Sequence, residues 1–256
     1  MRVLISPAKK MKEDTDSLAF AGEPVFLERT ENILAQMRKL SFEEAKELWG
    51  CNEKLARQNY ERIQKMELHR RLTPAVLSYE GIQYQYMAPA VFETQMLEWV
   101  QEHLRILSGF YGILRPMDGV TPYRLEMQAK LSCDGFRDLY EFWGNSLYEA
   151  VKGHTILNLA SKEYSRCVER FLEPEDRFIT CVFGERNGSK IVQKGTYAKM
   201  ARGEMVRFLA EHKAEKPEEA KKFEGLGFHF DEKASDEKNY VFVREEKSLC
   251  KNRQAL

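Results

Sequence analysis

Three short groups of polar residues have the types and spacing to do chemistry. Ser6 and Lys9 follow the apolar run Val3-Leu4-Ile5. Tyr123, Arg124 and Glu126 follow Pro122. Ser161, Lys162, Glu163 and Tyr164 follow the run Thr155 to Leu159. Serine hydroxyls and the N–H groups of a starting helix hold anions. Lys9 adds a point charge and Arg124 a bidentate fork. Glu126 or Glu163 serves as acid or base once burial shifts it. Arg124 and Glu126 lie two apart on an extended, proline-restrained backbone, so they share a face. The competing interpretation is structural. In it Ser161 only caps a helix, and Arg124 pairs with a nearby acid such as Asp118.

A second basic group is Lys190, Lys194, Lys199 and Arg202. Lys199 and Arg202 are three apart and share one helix face. Lys194, Lys199 and Arg202 are the expected phosphate contacts, whereas Glu204 and Glu211 neutralise Arg207. Phosphate loops, dinucleotide fingerprints and nucleophile elbows are absent as motifs. His69, His103, His154, His212 and His229 show no paired metal spacing, so neither a metal nor a cofactor is expected.

These residues need rigid elements to bring them together. Residues 2–6 and 155–159, each with a mainly apolar centre, are expected as short buried strands. Residues 75–79 and 104–107 are expected as further strands. Ile33, Leu34, Met37 and Leu40 recur at helical spacing. Ser41 and Glu44 make a capping box, and residues 52–68 form another amphipathic helix. Helices are also expected over 92–103, 139–151, 162–171 and 198–209, with a shorter one at 217–223. Asn187-Gly188 supplies the turn of a β-hairpin over 178–194. The fold class is therefore α/β, with a central mixed β-sheet flanked by helices and a helical N-terminal elaboration. No linker-like stretch divides the chain, so residues 1–256 are expected as a single domain. If the strands are parallel neighbours, the polar groups meet in the crevice at their carboxyl ends.

Forty lysines and arginines balance forty acids, so any nucleic-acid site is a local patch rather than a whole-molecule field. The five cysteines contain no Cys-x-x-Cys pair, which suggests reduced thiols in a cytoplasmic protein. Neither a signal peptide nor a membrane span is expected. A monomer is expected.

The stretch Leu107-Ser-Gly-Phe-Tyr-Gly-Ile-Leu-Arg-Pro-Met-Asp118, followed by Pro122-Tyr-Arg-Leu-Glu-Met127, resembles the YaaA (UPF0246) family of peroxide-stress proteins. Leu4-Ile-Ser-Pro-Ala-Lys9, Leu139-Tyr-Glu-Phe-Trp-Gly144, Asn158-Leu-Ala-Ser-Lys-Glu-Tyr164, Tyr197-Ala-Lys-Met-Ala-Arg-Gly203 and Gly227-Phe-His-Phe230 extend the resemblance across nearly the whole chain. It implies an unusual α/β fold with a helix–hairpin–helix element, DNA binding, and peroxide survival associated with limiting free intracellular iron. Residues 107–113 are the candidate hairpin, although their glycines are three apart rather than the usual two. Gly109, Gly112, Arg115 and Lys10 then join the phosphate contacts. Two alternatives stay open. One is an enzyme acting on a nucleotide or a DNA base through glycosidic-bond chemistry, with Glu126 and Glu163 catalytic. The other is direct iron sequestration.

Overall fold

The computed structural model describes residues 1–132, 135–188 and 190–245. Val3, Leu4 and Ile5 are fully buried in β1 (Arg2–Ile5), at the middle of the sheet. A parallel strand covered on both faces needs apolar side chains throughout, without alternation. The remaining sheet strands are β2 (Leu104–Ser108), β3 (Gly112–Leu114), β4 (Ile156–Asn158), β5 (Phe178–Asn187), β6 (Lys190–Val192), β7 (His229–Phe230) and β8 (Asn239–Glu245). Their order is β7-β8-β5-β4-β1-β2-β3, with β6 paired to β5. Strands β1, β2, β4, β5 and β8 run parallel. Strands β3, β6 and β7 join antiparallel, so the sheet is mixed. From β1 the chain builds β2 on one side and later lays β4 on the other. That reversal opens a crevice at the carboxyl ends of β1 and β4.

Three amphipathic helices form the N-terminal elaboration: α1 (Leu27–Lys39), α2 (Phe42–Trp49) and α3 (Glu53–Lys65). α1 buries Ile33, Leu34 and Met37, and α2 opens on the Ser41–Glu44 capping box. Next come α4 (Ala75–Ser78), α5 (Ile82–Met87) and α6 (Thr94–His103). The Arg105 guanidinium donates to the carbonyls of Gln101, Glu102 and Leu104, satisfying the end of α6. After β3 come α7 (Leu139–Trp143), α8 (Ser146–Glu149), α9 (Lys162–Glu169) and α10 (Gly195–Glu211).

Three expectations need correction. Residues 75–78 form one buried helical turn, not a strand; extended pairing is confined to the flanking pairs 73–74 and 79–80. A short apolar run does not distinguish a buried strand from a buried helical turn. Residues 139–149 form two helices because Gly144 adopts φ +52° between them. Finally, the expected helix–hairpin–helix at 107–113 is a β-hairpin, with Leu107 opposite Ile113 and Ser108 opposite Gly112. Phe110 and Tyr111 at its tip are fully buried, and the glycines serve packing. A Cβ on Gly109 would lie 2.6 Å from the Leu125 carbonyl oxygen, and one on Gly112 would lie 2.8 Å from the Trp143 ring.

Candidate functional site

The three polar groups converge on a cleft of about 340 Å³ at the carboxyl ends of β1 and β4. Ser6 and Lys9 enter from the loop after β1. Tyr123, Arg124 and Glu126 come from the strap after the buried hairpin. Ser161, Glu163 and Tyr164 come from the start of α9. Lys10, Lys199 and Arg202 from the expected phosphate group also line the cleft.

Each group is held by identifiable contacts. Tyr123 is buried, and its hydroxyl shares hydrogen bonds with Ser108 Oγ at 2.6 Å and with the Tyr79 hydroxyl at 2.9 Å. Its ring stacks on Phe110. These contacts fix the strap, and the missing side chain of Gly109 lets residues 125–126 lie against the hairpin. Burial pushes the Tyr123 hydroxyl well above the ordinary phenol range, so it stays protonated.

Ser161 occupies the N-cap position of α9, but its side chain makes no capping hydrogen bond. Instead the Ser161 N–H donates to Ser6 Oγ at 2.8 Å, and the two hydroxyls lie 3.2 Å apart. The serine pair therefore ties β1 to the start of α9 and leaves that helix end without its side-chain cap. Such an end favours an anion.

Lys9 Nζ lies 2.7 Å from Glu126 Oε2, and Arg124 Nη2 lies 3.5 Å from Glu126 Oε1. Arg124 and Glu126 therefore lie side by side, although residues 121–126 form an irregular segment rather than the expected strand. Asp118 instead accepts from the backbone N–H of Arg115. Glu163 accepts from the backbone N–H of Gln128 at 3.3 Å. Burial raises the Glu163 carboxyl above its ordinary range, and the nearby Glu126 charge adds to the shift.

The hydrogen-bonding inventory gives the cleft its character. The buried polar side-chain atoms without a partner include Gln83 Nε2, Arg124 Nε and Arg202 Nε, and all three residues line it. All three atoms are donors. Nothing in the residue spacing of 82–90 singles out Gln83. It arrives through packing between α5 and α10. A Cβ on Gly203 would fall 2.1 Å from the Gln83 carbonyl oxygen, so only glycine allows these helices to approach so closely. The same approach delivers Arg202, one residue earlier. Desolvation lowers the basicity of its guanidinium.

Other candidates lie elsewhere. Lys162 is exposed, pairs with Glu169 and lines a larger neighbouring groove. Lys194 pairs with the buried Glu185. Gly109 and Gly112 are enclosed, and Arg115 is exposed outside the cleft. Among the described residues, no group of three or more His, Cys, Asp or Glu side chains is placed to hold a metal ion. No helix among them is long and apolar enough to cross a membrane.

Comparison with known proteins gives this geometry a family context. The family described as "Peroxide stress protein YaaA" matches residues 1–234. The chain belongs to the YaaA peroxide-stress family. A UPF0246 protein of Lachnoclostridium phytofermentans is 58% identical over 251 residues, covering 97% of this chain and 98% of that protein. One from Agathobacter rectalis is 54% identical, covering 95% and 99%, and one from Pediococcus pentosaceus is 48% identical, covering 96% and 99%. The matched span, residues 1–234, contains the whole cleft.

Proposed function

We propose that this protein acts in peroxide stress by binding DNA in the cytoplasm, with the strand-end cleft receiving a backbone phosphate. The observation that carries the reading is the set of unpartnered donors on Gln83, Arg124 and Arg202 around one cleft. A buried donor without an acceptor costs about 1–3 kcal/mol, and a phosphate oxygen would remove that cost. Charge supports the same ligand. Five cationic side chains, Lys9, Lys10, Arg124, Lys199 and Arg202, line the cleft with three carboxylates, Glu80, Glu126 and Glu163. The uncapped start of α9 adds backbone N–H groups.

Fluorescence anisotropy with labelled duplex and single-stranded DNA at increasing salt tests this reading. The expected result is binding that weakens with salt, with a slope reduced by up to about 0.9 for each phosphate contact removed. Absence of binding at low salt, or binding without a salt slope, overturns it.

One observation favours a second reading, chemistry on a DNA base. Burial raises the Glu163 carboxyl, and Glu126 lies beside it, an arrangement in which Glu163 can serve as a general acid. Release of free base from damaged DNA, lost in Glu163→Gln with DNA binding retained, would support it. Stoichiometric ferrous binding by the purified protein would replace this account with direct sequestration.

A further inference from the structure

A second cavity, of about 810 Å³, adjoins the cleft and shares Lys9 and Glu126 with it as a common wall. Its lining includes Leu48 and Trp49 from the end of α2 and Ala129 and Leu131 from the strap beyond Glu126. Trp49 is buried, at 5% exposure, and its indole Nε1 has no hydrogen-bond acceptor. The other two tryptophans differ. Trp99 donates to the Ala214 carbonyl and Trp143 to the Gly109 carbonyl, each at 3.0 Å. A buried indole N–H ordinarily finds such a partner. Trp49 therefore brings one unused buried donor to the wall of a cavity that abuts the strand-end cleft.

We infer that this cavity is a subsite for the heteroaromatic base of a nucleotide whose phosphate occupies the strand-end cleft. The inference rests on the phosphate reading above and adds the base to it. Leu48, Ala129 and Leu131 supply apolar contact to a planar ring, and the Trp49 N–H supplies a donor to a ring nitrogen or carbonyl oxygen. Lys9 and Glu126 stand between the two ligand parts and contact the sugar side. The base is read by one donor and by shape, so the subsite accepts any base that presents an acceptor there.

Isothermal titration of the full chain with 2′-deoxyadenosine 5′-monophosphate and with 2-deoxyribose 5-phosphate separates the two claims. The nucleotide is expected to bind about tenfold tighter than the sugar phosphate. Trp49→Phe keeps an aromatic ring and removes the donor. It is expected to reduce that ratio about fivefold with sugar-phosphate affinity unchanged, and to lower the melting temperature because the buried side chain is smaller. In the wild-type protein, one of the three indole N–H resonances should shift on adding the nucleotide and stay still on adding the sugar phosphate. This measurement is independent of the stability of any variant. Equal affinity for the two probes, or an unmoved Trp49 resonance, overturns the base subsite while leaving the phosphate site intact. Binding of neither probe overturns the phosphate reading and this inference together.

Discussion

The far edge of the sheet and the strand-end cleft use the same side chains in opposite ways. At the edge, Glu185 on β5 is buried and forms ion pairs with both Arg244 and Lys194. Arg244 also lies flat on the Tyr197 ring, with its guanidinium carbon 3.5 Å from the ring centre. Arg186 is paired with Asp231. In the cleft, two arginines and a glutamine retain donors without acceptors. Charge alone does not distinguish a structural network from a binding site; the distinguishing feature is whether the donors are already occupied.

The largest expected effect lies at the occupied edge. Glu185→Ala would remove the carboxylate that Arg244 and Lys194 share, and because Lys194 is half exposed the cost should be about 2–3 kcal/mol, below that of a fully buried pair. Urea unfolding should show that loss, while DNA affinity per folded molecule should remain unchanged. Unchanged stability would mean that the edge is not held by this network. The paired Glu185 carboxyl is shifted below its ordinary range, chiefly by the hydrogen bond from Lys194. Its stabilising contribution is therefore present above the unfolded carboxylate range and is lost as pH falls through the depressed value.

Asp118 shows the opposite sign. It is buried at 5% exposure, and burial raises its carboxyl from 3.8 to about 6. Its contribution is fully present below the ordinary value and is lost as pH rises through about 6. Asp118→Asn keeps an oxygen that can accept the Arg115 N–H and stays neutral. The variant should match wild type near pH 4 and exceed it by roughly 2 kcal/mol at pH 7. Urea midpoints compared across that range check the expectation. A constant difference would show that Asp118 does not titrate in this window.

These contrasts also show what the sequence could reveal. Ser6 and Ser161 were legible because each follows a short, mainly apolar strand run, and parallel strands deliver their carboxyl ends to one place. Arg124 and Glu126 were legible as a pair because they stand two apart just after Pro122, although the segment that carries them is irregular rather than a strand. Gln83 was not, because its position depends on the close approach allowed by Gly203 over a hundred residues away. The glycines at 109 and 112 resembled a ligand-gripping turn, yet their missing side chains make room for the protein's own backbone and Trp143. Sequence spacing shows that a glycine is needed without identifying what approaches it.

Within the cleft, Arg202→Lys and Arg124→Lys sharpen the comparison. Lysine keeps the charge and loses the fork, so DNA affinity should fall about tenfold for each. Melting temperature should stay near wild type, because no acceptor for either Nε is lost from the folded protein. A fall in melting temperature that parallels the fall in affinity would make these arginines structural, like those of the far edge. Wild-type affinity in both variants would remove them from the binding site.

The smallest effect is expected at two exposed lysines. Lys162 begins α9 only one residue beyond Ser161, yet it pairs with Glu169 and lines the neighbouring groove. Lys199 lines the cleft itself from α10. If occupancy and location decide function, Lys162→Ala should leave DNA affinity within about twofold of wild type, whereas Lys199→Ala should weaken it about threefold and reduce the salt slope. Neither should alter stability by more than about 0.5 kcal/mol, because both side chains are largely in solvent. Anisotropy titrations at two salt concentrations resolve these differences. Equal losses in both variants would mean that general surface charge attracts DNA and that the cleft has no privileged part in holding it. A loss confined to Lys162→Ala would move the binding path into the larger groove beside α9.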